Sequence, residues 1–559
     1  MSELRQTLQS VYALYKSGES LKAETGIRQA LTKWPNEADV LRLGALTALA
    51  LNQVVTAHQR IDAAIARAPM TAEMANIQGR VLKASGDWAA AEDAYLLALK
   101  IDPNFERART NLLNLFTISE QPNRVLETLQ DIDDIGPIEM IARAEALTGL
   151  GQYDEALAAL TGVKDSAFQE RVLFQRMKCL EALGRLDEMR ETFSEISVQS
   201  SLYPRAMTIF ANSFEMRDQR DMALGQLEAS MASPVPSVSL QAIRLLKNMN
   251  CSERAQTAIE DLLKNYPKNV HVLCETADTA RLAGNADESC EIYKRALSLS
   301  PGHYEGLTGF AQAAIAAGRL NEAQTVLQAA LNQAPNNQFL LALVATLLRE
   351  TGSVYTHLYD YKNFVRVYDL VPPKGYKTIE EFNAALKEKL DALHVYKNAP
   401  VNQSLRIGTQ TEQDLSLIDD PVFADFFEAI DAPVRDYMNA IGHDPAHPLK
   451  RRNRGRYRVQ GAWSVRLQSQ GHHINHVHPM GWLSSAYYVD LPKVVSDGED
   501  RQGWIKFGEP NLDVGQTAEH FEQPKPGRLV LFPSYMWHGT VPFTGPDTRL
   551  TLPFDIVPA

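Results

Sequence analysis

The chain has 559 residues, 45% of them hydrophobic and 22% charged, with a net charge of −12. That length exceeds one hydrophobic core, so two or more domains are expected, and the composition excludes a disordered or collagen-like chain. The negative balance argues against a nucleic-acid binder; no run is apolar over a bilayer's thickness and the first residues hold no signal core, so no membrane role and a cytoplasmic location are expected.

From the N-terminus the chain repeats. Prolines stand at Pro35, Pro69, Pro103 and Pro137 and again at Pro267, Pro301 and Pro335, in steps of 34 residues. Gly18, Asn52 and Gly86, and later Gly284 and Gly318, keep the same step. A 34-residue period marks helix–turn–helix units that stack side by side. In the clearest unit, from Ala72 to about Asn104, Gly79 marks a close helix approach. Gly86-Asp87-Trp88 is the turn, Ala91 and Ala98 are the packing positions, Tyr95 fills the groove and Pro103 ends the second helix. The phrase recurs at Gly151–Ala156 and Gly318–Ala323. Residues 1–350 are therefore similar to the tetratricopeptide family, with about nine or ten units whose boundaries blur between 165 and 265. Such a solenoid offers a concave groove for a peptide or protein, or serves as a scaffold or dimerisation arm. Cys179, Cys251, Cys274 and Cys290 form no CxxC pair and are expected to be small buried residues.

Residues 351–450 read as a linker and helical lead-in. Tyr355, Tyr359, Tyr361, Phe364 and Tyr368 suggest packing between the solenoid and the C-terminal domain. Thr378 to Leu393 has an apolar helical stripe with Thr378 as its cap, and a second helix is expected from Pro421 to Ile441. The basic run Lys450–Arg458 is either a solvated strand edge or a contact for an acidic substrate or the acidic solenoid. Residues 451–559 are strand-like. Short β-branched or aromatic segments at 457–459, 462–467, 482–490, 504–507, 528–532 and 550–556 are separated by turn residues, which indicates a sandwich or barrel.

The chemistry lies in this last region. His476 and His478 are two residues apart in a strand and share one face. His538, from a later strand, can close a metal site with them, and Arg549, eleven residues on, can hold a carboxylate. His472 and His473 are read as turn or pocket-rim residues and His520 as a loop residue.

Asn475–Pro492, with His476-Val-His478-Pro479 and Ser485-Ala486-Tyr487-Tyr488, joins Pro526–Pro542 and Arg549-Leu550-Thr551 in a specific pattern. Over about residues 365–559 it resembles the 2-oxoglutarate/Fe(II)-dependent oxygenases of bacteria and phages with a His-x-His-Pro motif. Ser485-Ala486 stands where that family has Ser-Gly. The resemblance implies a multidomain α + β chain: an N-terminal α-solenoid and a C-terminal double-stranded β-helix, a jelly-roll, cupin-like barrel. It implies Fe(II), 2-oxoglutarate as cosubstrate and O2, with succinate and CO2 as coproducts of a hydroxylation. Arg549 would hold the distal carboxylate, with Thr551 and Tyr487 as further contacts, and Trp482, Trp504 and Trp537 would wall the substrate pocket.

Better-known relatives place Asp or Glu where His478 stands. Three arrangements stay open: a three-histidine site; a site completed by a carboxylate such as Asp490 or Glu509; or His478 orienting a ligand from behind. The expected function is a hydroxylase acting on a peptide or protein presented by the solenoid. Two other readings are a three-histidine cupin-like metalloprotein with another reaction, and a tetratricopeptide adaptor with an inactive barrel; a metal assay separates the last.

Overall fold

The computed structural model describes residues 3–130, 132 and 135–559; Met1, Ser2, Asp131, Asp133 and Asp134, which fall within the expected solenoid, lie outside the described residues. The chain divides into two compact units, Met1–Gln175 and Arg176–Ala559. No helix among the described residues is long and apolar enough to cross a membrane.

Helix pairs run without interruption from Glu3 to Gln333, ten of them among the described residues, and a single helix, Gln338–Glu350, comes next. The blurred stretch is helical too: Gln169–Ala182 pairs with Leu186–Glu195, Tyr203–Met216 with Arg220–Met231, and Pro236–Asn248 with Ser252–Asn265. Sequence signals fade there because the step is uneven, the turn residues Gly151, Gly184, Asp218 and Asn250 being 33, 34 and 32 apart, and the last two are not glycine. Asp218 and Asn250 take the left-handed turn conformation that Gly86 and Gly284 take elsewhere. Gly79 is required for a different reason, since a Cβ there would lie 2.5 Å from the Tyr95 ring. Within each unit the first helices of successive pairs pack on one another: Glu3–Lys16 through Pro137–Gly149 in the first, and Tyr203–Met216 through Gln338–Glu350 in the second. Cys179, Cys274 and Cys290 are buried and Cys251 partly so, all reduced.

Eleven strands build the C-terminal domain: β1 (Arg366–Asp369), β2 (Leu405–Gln410), β3 (Tyr457–Ala462), β4 (Val465–His473), β5 (Leu483–Asp490), β6 (Ile505–Phe507), β7 (His520–Glu522), β8 (Arg528–Pro533), β9 (His538–Thr540), β10 (Arg549–Thr551) and β11 (Phe554–Pro558). The larger sheet runs β1-β8-β5-β10-β4-β2, with β11 joining β5 to β3; the smaller runs β7-β6-β9, and every pairing is antiparallel. This is the expected antiparallel double-sheet domain behind a solenoid. Its limits differ from expectation, because β1 and β2 come from the supposed lead-in, so the sheet begins near residue 366 rather than 451. The segment expected at 550–556 is two strands, divided at Pro553, which cannot donate to a ladder. Helices Ile379–Leu393 and Pro421–Ile441 form as read, the first capped by the Thr378 hydroxyl.

The aromatic lead-in packs between solenoid and barrel. Tyr355 and Tyr361 donate to Glu519, Tyr359 to the Tyr535 carbonyl and Tyr535 to the Leu358 carbonyl. The basic run is more structural than expected: Arg451 bonds the Pro335 carbonyl and Asn336 of the last solenoid turn, and Arg452 the Gly481 carbonyl.

A second contact joins the lead-in to helices Gln169–Ala182 and Tyr203–Met216. Tyr396 donates to Glu412 at 2.7 Å, Arg217 holds Glu181 at 2.7 Å, and the guanidinium lies 4.8 Å from the Tyr396 ring centre. Burial first, then the Glu181 charge, pushes the Glu412 carboxyl up to about 7 from an ordinary 4.5. The folded chain therefore holds this proton more tightly than the unfolded one. The resulting stability is complete below about pH 4.5 and is lost as pH rises through about 7. Glu412 is itself an exposed residue, so solvent screening holds the loss to about 1 kcal/mol or less. Glu412→Gln is expected to flatten the decline in Tm between about pH 5 and pH 8; an identical slope in the variant would show that another group sets it.

Candidate metal centre

The histidine segment is shaped by one backbone bridge. His476 N–H donates to the His538 carbonyl (2.9 Å) and His538 N–H to the His476 carbonyl (3.1 Å), which sets β9 against the loop after β4. Gly539 makes this approach possible: a Cβ there would lie 2.6 Å from Asn475 Oδ1 and 3.0 Å from the His473 carbonyl.

Three imidazoles converge as a result. Ligand atoms of His476, His478 and His538 all lie within 4.8 Å of one another, and the Nε2 atoms of His476 and His478 are 3.3 Å apart. Each Nδ1 faces a group that accepts hydrogen bonds: the Ile474 carbonyl for His476 (2.8 Å), the Met536 carbonyl for His538 (3.0 Å), and the Asp555 carboxylate for His478 (2.6 and 2.8 Å). A carbonyl or carboxylate oxygen only accepts, so each Nδ1 carries a proton and Nε2 is the nitrogen that each ring, when neutral, has free for a metal. Burial and the neighbouring rings favour the neutral form in two of the three. Burial, then the His478 charge, pushes His476 down to about 3, and burial and the same ring cluster hold His538 well below its usual value. For His478 burial also pulls downward, but the Asp555 charge and hydrogen bond outweigh it and the value rises.

Asp555 is the carboxylate that sequence reasoning missed. It sits in β11, accepts from Ser484 Oγ (2.7 Å) as well as from His478, and would return one negative charge to a site of three neutral ligands. Asp490 and Glu509, the carboxylates considered instead, face Lys387 (3.7 Å) and Lys506 (2.6 Å). Asp555→Asn removes the charge while keeping the shape, so metal affinity is expected to fall by about ten- to a hundredfold. Calorimetry of metal binding checks this, and an unchanged affinity would reduce Asp555 to packing.

Arg549, in β10, is buried, and its charge is felt by His473 at the edge of the histidine cluster. Its Nε donates to the Gly503 carbonyl (3.1 Å) and its guanidinium lies 5.1 Å from the Tyr488 ring centre. Burial pulls its pKa down, and among the described residues no carboxylate pairs with it. The Tyr488 hydroxyl is buried with the Arg549 guanidinium as its polar neighbour, and the Trp504 indole N–H is buried without a partner. Thr551 is buried two residues on, with its hydroxyl 3.4 Å from the Val465 carbonyl.

Several expected positions are corrected. Tyr487 does not face this cluster: its hydroxyl donates to Asn383 (2.6 Å) and its ring packs on Phe426, so the alternation of β5 turns Tyr488 toward Arg549 instead. Trp482 is buried with its indole N–H on the Leu449 carbonyl, and Trp537 donates to Thr346 and meets Phe339 of the last solenoid helix. Both are packing residues rather than pocket walls. Trp463 is the indole beside the site, 5.8 Å from the His478 ring. His472 and His473 end β4 rather than forming a turn, and His473 meets Ser404 Oγ (3.0 Å) with its ring 5.6 Å from that of His476. His520 belongs to β7 and stacks on Tyr361 at 5.4 Å.

A second cluster, His271, His303 and Glu305, lies on the solenoid. His303 Nδ1 there accepts the Gly306 N–H (3.1 Å), and Arg244 reaches Glu305 at 3.7 Å, so a metal would displace a helix cap and meet a fixed cation.

Comparison with known proteins agrees with this architecture. Tetratricopeptide-repeat family models match residues 42–104, 240–304 and 280–347, and a model described as "Putative 2OG-Fe(II) oxygenase" matches residues 461–555. Tetratricopeptide repeats thus precede a C-terminal domain of that oxygenase type, and the matched span holds all three histidines, Arg549 and Asp555. No curated protein matches the chain. A solved structure, "Structure of Naa15/Naa10 bound to HypK-THB", aligns over 64% of this chain and 77% of that chain, at 14% identity and a TM-score of 0.25.

Proposed function

We propose that this protein is an Fe(II)- and 2-oxoglutarate-dependent oxygenase that hydroxylates a peptide or protein held by its solenoid. The observation that carries the reading is Arg549: a buried guanidinium with no carboxylate among the described residues, near His473, whose ring lies 5.6 Å from that of His476 in the cluster of three converging imidazoles. A buried cation without a counter-charge is costly, and a dianionic ligand removes that cost.

His476, His478 and His538 would hold iron on one triangular face, leaving the opposite face open. Iron, 2-oxoglutarate and O2 together supply oxidative decarboxylation to succinate and CO2 and transfer of one oxygen atom to a substrate C–H bond. The chain's own work is positional. The carbonyls of Ile474 and Met536 and the carboxylate of Asp555 fix three ring orientations. Arg549 would grip the distal carboxylate, with the Tyr488 hydroxyl beside it and the unpartnered Trp504 N–H as further donors. Phe507 and Phe532, whose rings lie 6.5 and 4.7 Å from that of His538, pack its imidazole in place. A cupin-like three-histidine protein without a cosubstrate would leave Arg549 buried for no reason.

The test is anaerobic titration of apo-protein with Fe(II) and 2-oxoglutarate, watching for the visible charge-transfer band of the chelated cosubstrate. A saturable band, absent in His476→Ala, is expected. Tight metal binding with no band would end the 2-oxoglutarate assignment.

A further inference from the structure

The basic run Lys450–Arg458 is only partly spent on structure. Arg451 and Arg452 bond the carbonyls of Pro335 and Gly481, which satisfies N–H groups and leaves both charges standing. Burial first, and then the Arg451 charge, pushes Arg452 down to about 10, the response of a cation without a counter-charge. Arg454 and Arg456 are exposed. None of Lys450, Arg451, Arg452, Arg454 and Arg456 forms an ion pair among the described residues. Asp431, which accepts from Tyr457 in β3, is already held by Arg435 at 2.7 Å.

The run leads into a free sheet edge. β3 pairs with β11 on one side only. From Ala462 onward its other side is covered, since Ala462 N–H donates to Asp414 Oδ1 (3.0 Å) and Ser464 N–H to Thr411 Oγ1 (2.9 Å). From Tyr457 to Gln460 no strand lies there among the described residues, and all four residues are half-buried. An unpaired edge offers backbone N–H and C=O groups to any extended chain that can approach. Cations along such an edge repel a second copy of the same strand and attract one of opposite charge.

This edge adjoins the histidine site. β11 carries Asp555, which stands opposite Gly461 of β3 on one side and Ser484 of β5 on the other. Neighbouring strands lie about 4.8 Å apart, so a strand added outside β3 would run about 10 Å from β11. The loop before β3 crosses the end of the sheet. Ala559 N–H, after β11, donates to the Arg456 carbonyl (3.1 Å), and Arg452 reaches the Gly481 carbonyl (2.7 Å). Gly481 N–H in turn donates to the His478 carbonyl (3.2 Å), so the cations run from the β3 edge to the turn that begins at His478. Pro479 and Met480 of that turn are exposed.

We infer that an acidic, extended segment of the substrate polypeptide docks on the oxygenase domain itself, adding a strand to β3 at Tyr457–Gln460 with its carboxylates on Arg454 and Arg456. The residue to be oxidised then lies at least about three positions from the docked segment, since about 10 Å of extended chain separates the added strand from β11. A nucleic acid is the poorer occupant. It has no backbone N–H to give a sheet edge, and a long polyanion would meet the rest of a chain of net charge −12. Docking needs no metal; that the docked chain is the substrate rests on the oxygenase reading.

The test uses full-length apo-protein and a short fluorescein-labelled peptide of alternating Glu and Thr, read by anisotropy at low salt without metal. The peptide should bind, and its Lys-Thr counterpart should not. Arg454→Glu with Arg456→Glu should weaken binding by about tenfold, and Lys100→Glu, an exposed cation of the solenoid, should leave it unchanged. Methylating alternate peptide nitrogens keeps the charge and removes ladder donors, so one of the two methylation phases should also lose about tenfold. No binding of the acidic peptide, equal binding by the double variant, equal binding of both methylated peptides, or equally tight binding of oligodeoxythymidylate would each overturn the inference. Peptide binding without a 2-oxoglutarate band would keep the docking edge and end the oxygenase reading; a band without peptide binding would do the reverse.

Discussion

Arg549→Ala should keep iron binding and lose 2-oxoglutarate. The histidine Nε2 atoms and their Nδ1 partners do not involve Arg549, so metal affinity should match the parent protein. The cosubstrate's distal carboxylate would instead be buried without its counter-charge. Truncating one partner of a buried charge pair costs about 2–5 kcal/mol, or roughly thirtyfold to several thousandfold in affinity. Lysine at this position should recover only part, because a point charge cannot reproduce a planar fork. The apo-protein should report the same physics with opposite sign. Without ligand, Arg549 is a buried cation lacking a carboxylate, so Arg549→Met should melt no lower than the parent, because the variant no longer buries that charge. Adding metal and 2-oxoglutarate should then raise Tm in the parent and not in the variant. Normal 2-oxoglutarate KM in Arg549→Ala would show that the cosubstrate, if any, sits elsewhere.

The residues at this site differ in how legible they were. The solenoid is visible because a 34-residue period survives substitution, as at Asn52, and it blurs where the step itself slips, the turn positions Gly151, Gly184, Asp218 and Asn250 being 33, 34 and 32 apart. The three histidines and Arg549 are visible because they sit in family order. Tyr487 and Tyr488 could not be told apart, because β5 is buried on both faces from Leu483 to Val489 and shows no polar alternation to set its phase. Only the pairing of β5 with β10 assigns Tyr488 to Arg549. Trp482 and Trp537 were misread because an indole near a motif suggests a pocket, whereas each N–H here answers a packing partner. Asp555 had a readable signal that was passed over: one carboxylate inside the apolar run Phe554–Val557, where a buried charge needs a partner.

His538→Ala should remove the metal while leaving the fold. The bridge that sets β9 against the histidine loop runs through backbone atoms of His476 and His538, so alanine retains both hydrogen bonds. The lost imidazole is the one ligand contributed from the far side of that bridge, and two histidines from a single loop cannot supply three positions on one face. Metal affinity should fall by more than about a hundredfold, beyond the graded loss expected when only an orienting partner such as Asp555 is changed. The charge-transfer band and succinate formation should both vanish, while the apo-form still unfolds cooperatively at a Tm lowered by the cavity the ring leaves beside Phe532. Loss of metal binding separates a ligand from a core residue, because a buried ring that served only packing would lower Tm and leave metal binding in place. A variant that still binds metal tightly would move the third ligand away from β9. His473, whose ring already lies 5.6 Å from that of His476, would then be the histidine to replace next.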